Sequence, residues 1–101
     1  YNLITVIVDR GKAEAVIEAA TKAGSKGGTI LHGRGSGIHE TSKIFSMEIE
    51  PEKEIALIIS EESLTEAIAN SIRNELNIDE PGNGIIFIQD IKRAYGLYKT
   101  T

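Results

Sequence analysis

Four apolar segments of the chain have the pattern of β-strands. Residues 3–8, 54–60 and 85–88 are nearly continuous runs of apolar side chains. Such runs are typical of strands that are covered on both faces. The remaining segment, residues 26 to about 34, continues directly into a glycine-rich loop. The pattern therefore predicts four strands, three of which are apolar on both faces.

Two further segments have the apolar spacing of helices, at intervals of three and four positions. The first begins at Lys12, and Gly24 is in the C′ position that ends it. The second begins near Ser63, where the sequence has a capping-box pattern, or one turn earlier with Ser60 as the cap. The predicted stripes are Ala13, Val16, Ile17, Ala20 and Ala23, and then Leu64, Ala67, Ile68, Ile72 and Leu76.

The other segments are less regular. Residues 36–50 are predicted to form a projecting, mobile loop, in which 44–50 would extend a hairpin. Residues 81–84 form a strong turn signal with the sequence Pro-Gly-Asn-Gly. We expect one helical turn over residues 90–96 and a frayed tail over 97–101.

The predicted order βαββαβ indicates a single α+β domain over residues 1–101. Right-handed crossovers give a ferredoxin-like sandwich, with a four-stranded antiparallel sheet and two helices on one face. Two helices of about three turns each cover only one face of such a sheet. Since three strands are apolar on both faces, we expect the other face to pack against copies of the same chain, as a homotrimer.

Composition narrows the classes of function. The net charge of -4 and the pI near 5.1 argue against nucleic acid as a partner. The absence of cysteine excludes disulfides and thiolate chemistry. No apolar run approaches the roughly 18 residues of a membrane span, and no signal peptide is recognisable, so we expect a cytoplasmic protein. Because the chain begins with Tyr1, it is compatible with being part of a longer protein.

The most informative motif is the stretch from Gly27 to Gly37, in which glycines recur at every second position near its end. Glycine exposes its amide without a Cβ, so a strand ending in this way can direct several N–H groups at one anion. The alternative is a bend at a sheet edge. The motif is not a P-loop, because no Gly-Lys-Ser/Thr follows it.

These residues resemble the PII signal-transduction family. The resemblance extends from Leu3 to about Tyr95 and is most specific in Gly-x-Thr before Gly-x-Gly, and in Gly-Asn-Gly followed by Ile-Phe. It implies a non-catalytic homotrimer that binds nucleotides in clefts between subunits and acts on transporters, enzymes or regulators through a flexible loop. It further implies that Gly27, Thr29, Gly35 and Gly37 line one wall of the cleft, and that Gly82, Asn83 and Gly84 hold phosphate oxygens.

The chain also departs from the family pattern. The lysine that follows Gly-Asp-Gly in the family is Ile85 here, and the two C-terminal arginines fall near Gly96 and Tyr98. Arg34, Lys92 or Arg93 would have to supply the positive charge. Each missing phosphate contact costs about 1.5–3 kcal/mol. We therefore expect weak triphosphate binding, which leaves AMP, ADP, another small anion or no nucleotide as alternatives.

The predicted loop differs from the family as well. It is shorter than in typical members and contains no tyrosine, so control by tyrosine nucleotidylylation is not expected. In this respect the chain is similar to short-loop relatives that respond to adenine nucleotides and bicarbonate. The apolar residues Ile38, Ile44, Phe45 and Met47 either form a partner-facing surface or pack within the hairpin.

Other side chains are candidates for metal ligands or catalysts. His32 and His39 are seven residues apart without companion ligands, which favours a surface role for both. A metal-responsive trimer is nevertheless an alternative, because the copper-tolerance CutA family shares the trimeric sandwich. Alternating acids at Glu48, Glu50, Glu52 and Glu54 favour a solvated face over a cation site or a basic partner. No catalytic constellation is recognisable. The second hypothesis is an interaction module of the same fold that has lost its ligand.

Overall fold

A computed structural model describes residues 1–36, 42–44, 47–49 and 51–98, the two short segments by their backbone alone. The strands are β1 (Asn2–Asp9), β2 (Thr29–Arg34), β3 (Ser42–Ile44), β4 (Met47–Ile49), β5 (Glu52–Ser60) and β6 (Ile85–Asp90). The helices are α1 (Ala13–Lys22) and α2 (Glu62–Leu76). The main sheet has the order β2-β5-β1-β6 with antiparallel neighbours, and β3 and β4 form a separate hairpin. The predicted ferredoxin-like α+β fold is confirmed.

The core lies between one face of the sheet and the two helices. Alternate residues of β1, namely Ile4, Val6 and Val8, are almost fully buried there. Side chains on one face of a strand recur at every second position, so these residues point toward the helices together. Ile58 of β5 joins them, as do apolar residues on the inner faces of the helices, and the helix residues are Ala13, Val16, Ala19, Ala20, Ile68 and Ile72.

The opposite face of the sheet, which we call the open face, is apolar as well. Strand register identifies its members, because directly paired residues share a face. The apolar residues of the open face are Leu3, Ile7, Leu31, Ile55, Leu57, Ile59, Ile85 and Phe87. Ile59 and Ile85 are 46% and 53% exposed in the single chain, whereas Ile4 on the other face is 0% exposed. The sheet is thus apolar on both faces and covered by helices on one.

The end of α1 follows the sequence prediction. Gly24 adopts a left-handed conformation with φ of 108°. Its N–H donates to the Thr21 carbonyl at 3.1 Å, and the Ser25 N–H donates to the Ala20 carbonyl at 3.0 Å. This pair of bonds is the Schellman arrangement, which satisfies the last carbonyl groups of a helix.

The predicted start of α2 is wrong. The N-cap is Glu61 and makes no side-chain cap hydrogen bond, so neither the capping box at Ser63 nor the Ser60 cap forms. The Ser60 hydroxyl bonds instead to the Thr65 hydroxyl at 2.7 Å, and Thr65 in turn bonds to Asn2 of β1, a contact between residues 63 positions apart. Close to the N-terminus of the helix, the Leu64 N–H donates to the Glu61 carbonyl at 2.9 Å.

Three further boundaries differ from the prediction. The second strand begins at Thr29 rather than Lys26, because Gly27 has a φ of 129° that no regular strand contains. The helical turn predicted for residues 90–96 is absent from this described segment. There the Ile91 N–H donates across the sheet end to the Tyr1 carbonyl at 3.1 Å, and Gly96 turns the chain with φ of 87°.

A hairpin is present as the pairing of β3 with β4, in which Ser42 lies opposite Ile49 and Ile44 lies opposite Met47, so residues 44–50 do not extend a single strand as predicted. The mobility predicted for residues 36–50 and the fraying predicted for 97–101 fall largely outside the described residues. Neither α1 nor α2, the helices of the described segments, has the length and apolar character needed to cross a membrane.

Candidate functional site

A cavity of about 480 Å³ lies at the end of the sheet where β2 begins and β5 ends. We call this end the cavity edge. The loop before β2 contributes Gly27 to the lining, the first residue of β2 contributes Thr29, and the first turn of α2 contributes Leu64. The two ends of the described chain also meet here, because Tyr1 and Tyr98 both line the cavity.

The loop between α1 and β2 is fixed by its own hydrogen bonds. The Ser25 hydroxyl donates to the Gly27 carbonyl at 3.1 Å. Gly28 is packed so closely that an added Cβ would lie 3.0 Å from the Leu57 carbonyl oxygen, as well as 2.7 Å from Cδ1 of Ile17. These contacts explain a glycine at position 28, and the positive φ explains one at 27. The cavity wall formed by this loop is therefore set by backbone geometry.

Behind the cavity lies a group of four polar side chains, three of them buried, which we call the end network. The Thr65 hydroxyl donates to Oδ1 of Asn2 at 2.7 Å, and Nδ2 of Asn2 donates to Oδ1 of Asp90 at 2.9 Å. The Ser60 hydroxyl lies 2.7 Å from the Thr65 hydroxyl and also lines the cavity. Asn2, Ser60 and Thr65 are each more than nine-tenths buried. The network joins the ends of three strands to α2.

The charged residues of the cavity lining are Lys26 and Glu61, one of each sign. Lys92 and Arg93 follow the end of β6 at the same end of the sheet, outside the cavity lining. Within the described ranges no group of three or more His, Asp or Glu side chains is placed to hold a metal ion.

The other predicted site residues lie at the opposite end of the sheet, which we call the glycine edge. Arg34 and Gly35 end β2 there, and the turn of Gly82, Asn83 and Gly84 leads into β6. The Gly35 N–H donates to the Pro51 carbonyl at 3.1 Å. Because β5 and β1 lie between β2 and β6, the two glycine segments are on opposite sides of this edge.

The turn before β6 has structural requirements of its own. Gly84 has a φ of 133°, and an added Cβ would lie 2.7 Å from the Ile7 carbonyl oxygen. The Asn83 side-chain amide donates to the Asn77 carbonyl at 3.0 Å, where α2 ends in a left-handed residue. Asn83 and Gly84 therefore close the turn, whatever they contact outside the chain.

A single chain separates the two groups of predicted residues. Six residues of β2 lie between them, which at about 3.3 Å per residue is roughly 20 Å. Gly27 and Thr29 are at the cavity edge, and Gly35 is at the glycine edge. One small ligand can contact both groups only if the edges come from two different copies of the chain.

Glu54 has a role that the sequence analysis missed. It was predicted to belong to a solvated acidic face, but its Oε1 accepts the N–H of Gly11 at 2.9 Å and of Ala13 at 3.0 Å. These bonds satisfy backbone donors at the start of α1. The signal that could have found it is its alternation with Ala56 and Ile58, which places Glu54 on the face of β5 that packs against the helices.

The pKa of Glu54 lies below its ordinary value. The largest cause is the hydrogen bond from the Ala13 backbone, which stabilises the carboxylate. Desolvation opposes the shift, and the Gly11 bond together with the charges of His32 and Arg10 adds to it. Nδ1 of His32 lies 3.8 Å from Oε2 of Glu54.

Neighbouring charges at the glycine edge are paired as well. Arg10 forms an ion pair with Glu52, and Nζ of Lys53 lies 2.6 Å from Oδ1 of Asp9. The predicted residues Gly37, Ile38, His39 and Phe45 lie outside the described residues, as do the side chains of Ile44, Met47 and Glu48.

Residues 1–100 match the family model described as Nitrogen regulatory protein P-II. The match spans nearly the whole chain, and so includes both edges of the sheet and the hairpin of β3 and β4. No curated protein gives a significant match to the sequence.

Proposed function

Since the chain belongs to the nitrogen regulatory protein P-II family, we propose that it is a cytoplasmic homotrimer that binds a small anionic effector between subunits. It would pass the signal to a partner protein, such as a membrane transporter or an enzyme. The loop over residues 36–50 is the segment proposed to contact that partner. As a regulator of this kind it has no catalytic role.

The open face is the observation that carries the proposal. Large apolar side chains, among them Leu31, Ile59, Ile85 and Phe87, are each at least 40% exposed in the single chain. Burying apolar area is worth about 25 cal/mol per Å², so covering this face with other copies is strongly favourable. Exposed apolar patches of this kind mark interaction surfaces. A closed ring of copies would cover every open face in the same way.

Assembly would also complete the binding site. In one chain the cavity and the glycine edge are roughly 20 Å apart, too far for one small molecule to reach both. If the cavity edge of one copy meets the glycine edge of another, the cavity can take the body of the effector. Backbone amides near Gly35 and Gly82, with Arg34, would then face its anionic group.

An adenine nucleotide with few phosphates is the effector that these features favour. The cavity of about 480 Å³ is within the size range of ligand pockets. Its lining carries no net charge, because Lys26 and Glu61 have opposite signs. With Ile85 in place of the family lysine, the glycine edge offers fewer charged phosphate contacts. AMP or ADP should therefore bind at least as tightly as ATP.

Titration calorimetry of the assembled protein with AMP, ADP, ATP and cyclic AMP tests the proposal. We expect saturable binding of at least one of them. Arg34→Ala should weaken it about tenfold, the effect of losing one charge-assisted contact. The matched control Lys22→Ala removes a positive charge from the exposed end of α1 and should leave binding unchanged.

The competing function is an interaction module whose ligand site has been lost. Ile85 favours it, because this residue adds apolar surface to the open face at a position where the family has a lysine. Under this alternative the protein assembles normally and gives no heat with any of the four nucleotides. That result would contradict the proposed effector and leave the assembly intact.

A further inference from the structure

We propose that the end network of Asn2, Ser60, Thr65 and Asp90 is a latch that holds residues 91–98 in place as one wall of the cavity. The inference rests on the proposed function only in assigning the cavity to an effector. The latch itself is a property of the folded chain.

The segment after β6 returns to the cavity with few anchors. The Ile91 N–H donates to the Tyr1 carbonyl at 3.1 Å. Gly96 then turns the chain with a φ of 87°, and Leu97 and Tyr98 reach the cavity lining. Tyr98 is 86% exposed, so it gains little from burial there. The position of the segment therefore depends strongly on how its first residues are held.

Asp90 is the residue from which this segment departs, and Asn2 holds it. The bond from Nδ2 of Asn2 to Oδ1 of Asp90 lies next to the backbone bond between Ile91 and Tyr1. Together the two bonds join the start of β1 to the last residue of β6 and the first residue beyond it. Loss of the side-chain bond would leave the base of the segment held by the backbone bond between Ile91 and Tyr1. A partly buried amide without its acceptor is unfavourable, so this bond contributes to order.

The Asp90 carboxylate and the Thr65 hydroxyl together set which way the Asn2 amide faces. The Thr65 hydroxyl donates to Oδ1 of Asn2 at 2.7 Å, and the Glu61 carbonyl oxygen at 3.1 Å is a second acceptor for its hydrogen. The Ser60 hydroxyl can then donate to the Thr65 oxygen. A reversed amide would point its oxygen at the Asp90 carboxylate, where two acceptors repel each other. Thr65 therefore acts on Asp90 through Asn2, as a positioning residue.

The network also connects two walls of the same cavity. Ser60 lines the cavity at the end of β5, and Leu97 and Tyr98 line it from the C-terminal side. Because the bonds run from Ser60 through Thr65 and Asn2 to Asp90, docking of the segment is coupled to the geometry of the wall opposite. Opening the latch would widen the cavity.

Hydrogen exchange of the ligand-free wild-type protein and its variants tests the latch. In Asp90→Ala, the amides of residues 91–98 should exchange roughly fivefold faster or more, because the local opening is less opposed. Asp90 is exposed, so this variant should fold. Gln89→Ala, at the preceding exposed position, is the matched control and should not change exchange over 91–98.

Thr65→Val tests whether the whole network, and not Asp90 alone, holds the segment in place. It should raise exchange of residues 91–98 to a similar degree, whereas Thr65→Ser, which keeps the hydroxyl, should restore the wild-type rate. The proposal is overturned if Asp90→Ala leaves the segment as protected as in the wild type. It is also overturned if either variant raises exchange equally in β1 and β5, which would indicate general destabilisation. These exchange measurements need no nucleotide. If calorimetry detected no nucleotide binding, it would contradict the proposed function and leave the outcome for the latch unaffected.

Discussion

At the scale of single residues, two glycines at the glycine edge have different physical requirements. Gly84 combines a positive φ with a carbonyl oxygen 2.7 Å from any added Cβ. Gly35 has no positive φ, and an added Cβ would meet nothing within 4 Å among the described residues. A glycine motif predicted to bind a ligand can therefore contain residues that the fold itself requires.

Alanine substitution should separate these two cases. We expect Gly84→Ala to lower the free energy of unfolding by about 2 kcal/mol or more, through backbone strain and the clash with Ile7. Gly35→Ala should change it by less than about 0.5 kcal/mol. Urea denaturation of both variants measures the difference. Equal losses would show that the turn before β6 relaxes around a Cβ, contrary to the geometry.

The carboxylate of Glu54 should make stability depend on pH. Its pKa in the folded chain is lower than its ordinary value of 4.5, chiefly because it accepts the Ala13 N–H. The unfolded chain therefore binds the proton more readily, so the contribution is present above about pH 4.5 and is lost as the pH falls through the folded pKa. Glu54→Gln should remove that dependence.

Thermal unfolding between pH 3 and pH 7 measures this effect. The gap in stability between the wild type and Glu54→Gln should be widest near neutral pH and should narrow as the pH falls. Glu62→Gln, which removes an exposed carboxylate from α2, serves as the control. A gap that stayed constant with pH would mean that Glu54 stabilises α1 without its charge.

At the scale of elements, helix and strand identities follow from periodicity, while their ends depend on tertiary contacts. The end of α1 was predicted correctly because the requirement for Gly24 is local. The start of α2 was not, because the Ser60 hydroxyl does not cap the helix. It bonds to the Thr65 hydroxyl, which also bonds to the distant Asn2. The chain after β6 likewise pairs with Tyr1, at the other end of the sequence, instead of forming a helical turn.

Replacement of Ser63 checks the corrected start of α2. A true N-cap serine replaced by alanine costs about 1 kcal/mol. Since the N-cap is Glu61 and has no side-chain cap, Ser63→Ala should change the free energy of unfolding by less than about 0.5 kcal/mol. Gly24→Ala, at the left-handed position after α1, should lose about 1 kcal/mol in the same urea titration. A loss near 1 kcal/mol for Ser63→Ala would restore the capping box.

At the scale of the whole molecule, the important feature is the imbalance between two apolar sheet faces and helices on only one of them. The buried face contains Ile4, Val6 and Ile58, and the open face contains residues such as Leu57 and Phe87. The proposed trimer follows from that imbalance. So does the proposed intersubunit binding site, because each edge of a chain supplies only half of the residues that would form one site.

A charge on the open face should prevent assembly. Phe87→Glu is expected to convert the proposed trimer to a monomer, since burying an unpaired carboxylate between subunits is strongly unfavourable. Tyr95→Glu is the matched control, because Tyr95 is 88% exposed and lies beyond the sheet. Sedimentation velocity of the three proteins gives their masses. A monomeric wild type would contradict both the trimer and the intersubunit site.

Local patterns in the sequence were enough to predict the element order, the ferredoxin-like fold, the apolar character of both sheet faces and the end of α1 at Gly24. These depend on periodicity and on glycine backbone preferences, which neighbouring residues along the chain decide. Only the folded chain shows that the Glu54 carboxylate accepts backbone N–H groups at the start of α1 and that Tyr1 and Tyr98 line the same cavity. It also places Asn2 against Asp90, 88 positions away. Contacts between residues so distant in sequence arise from strand register and packing, and no local pattern contains them.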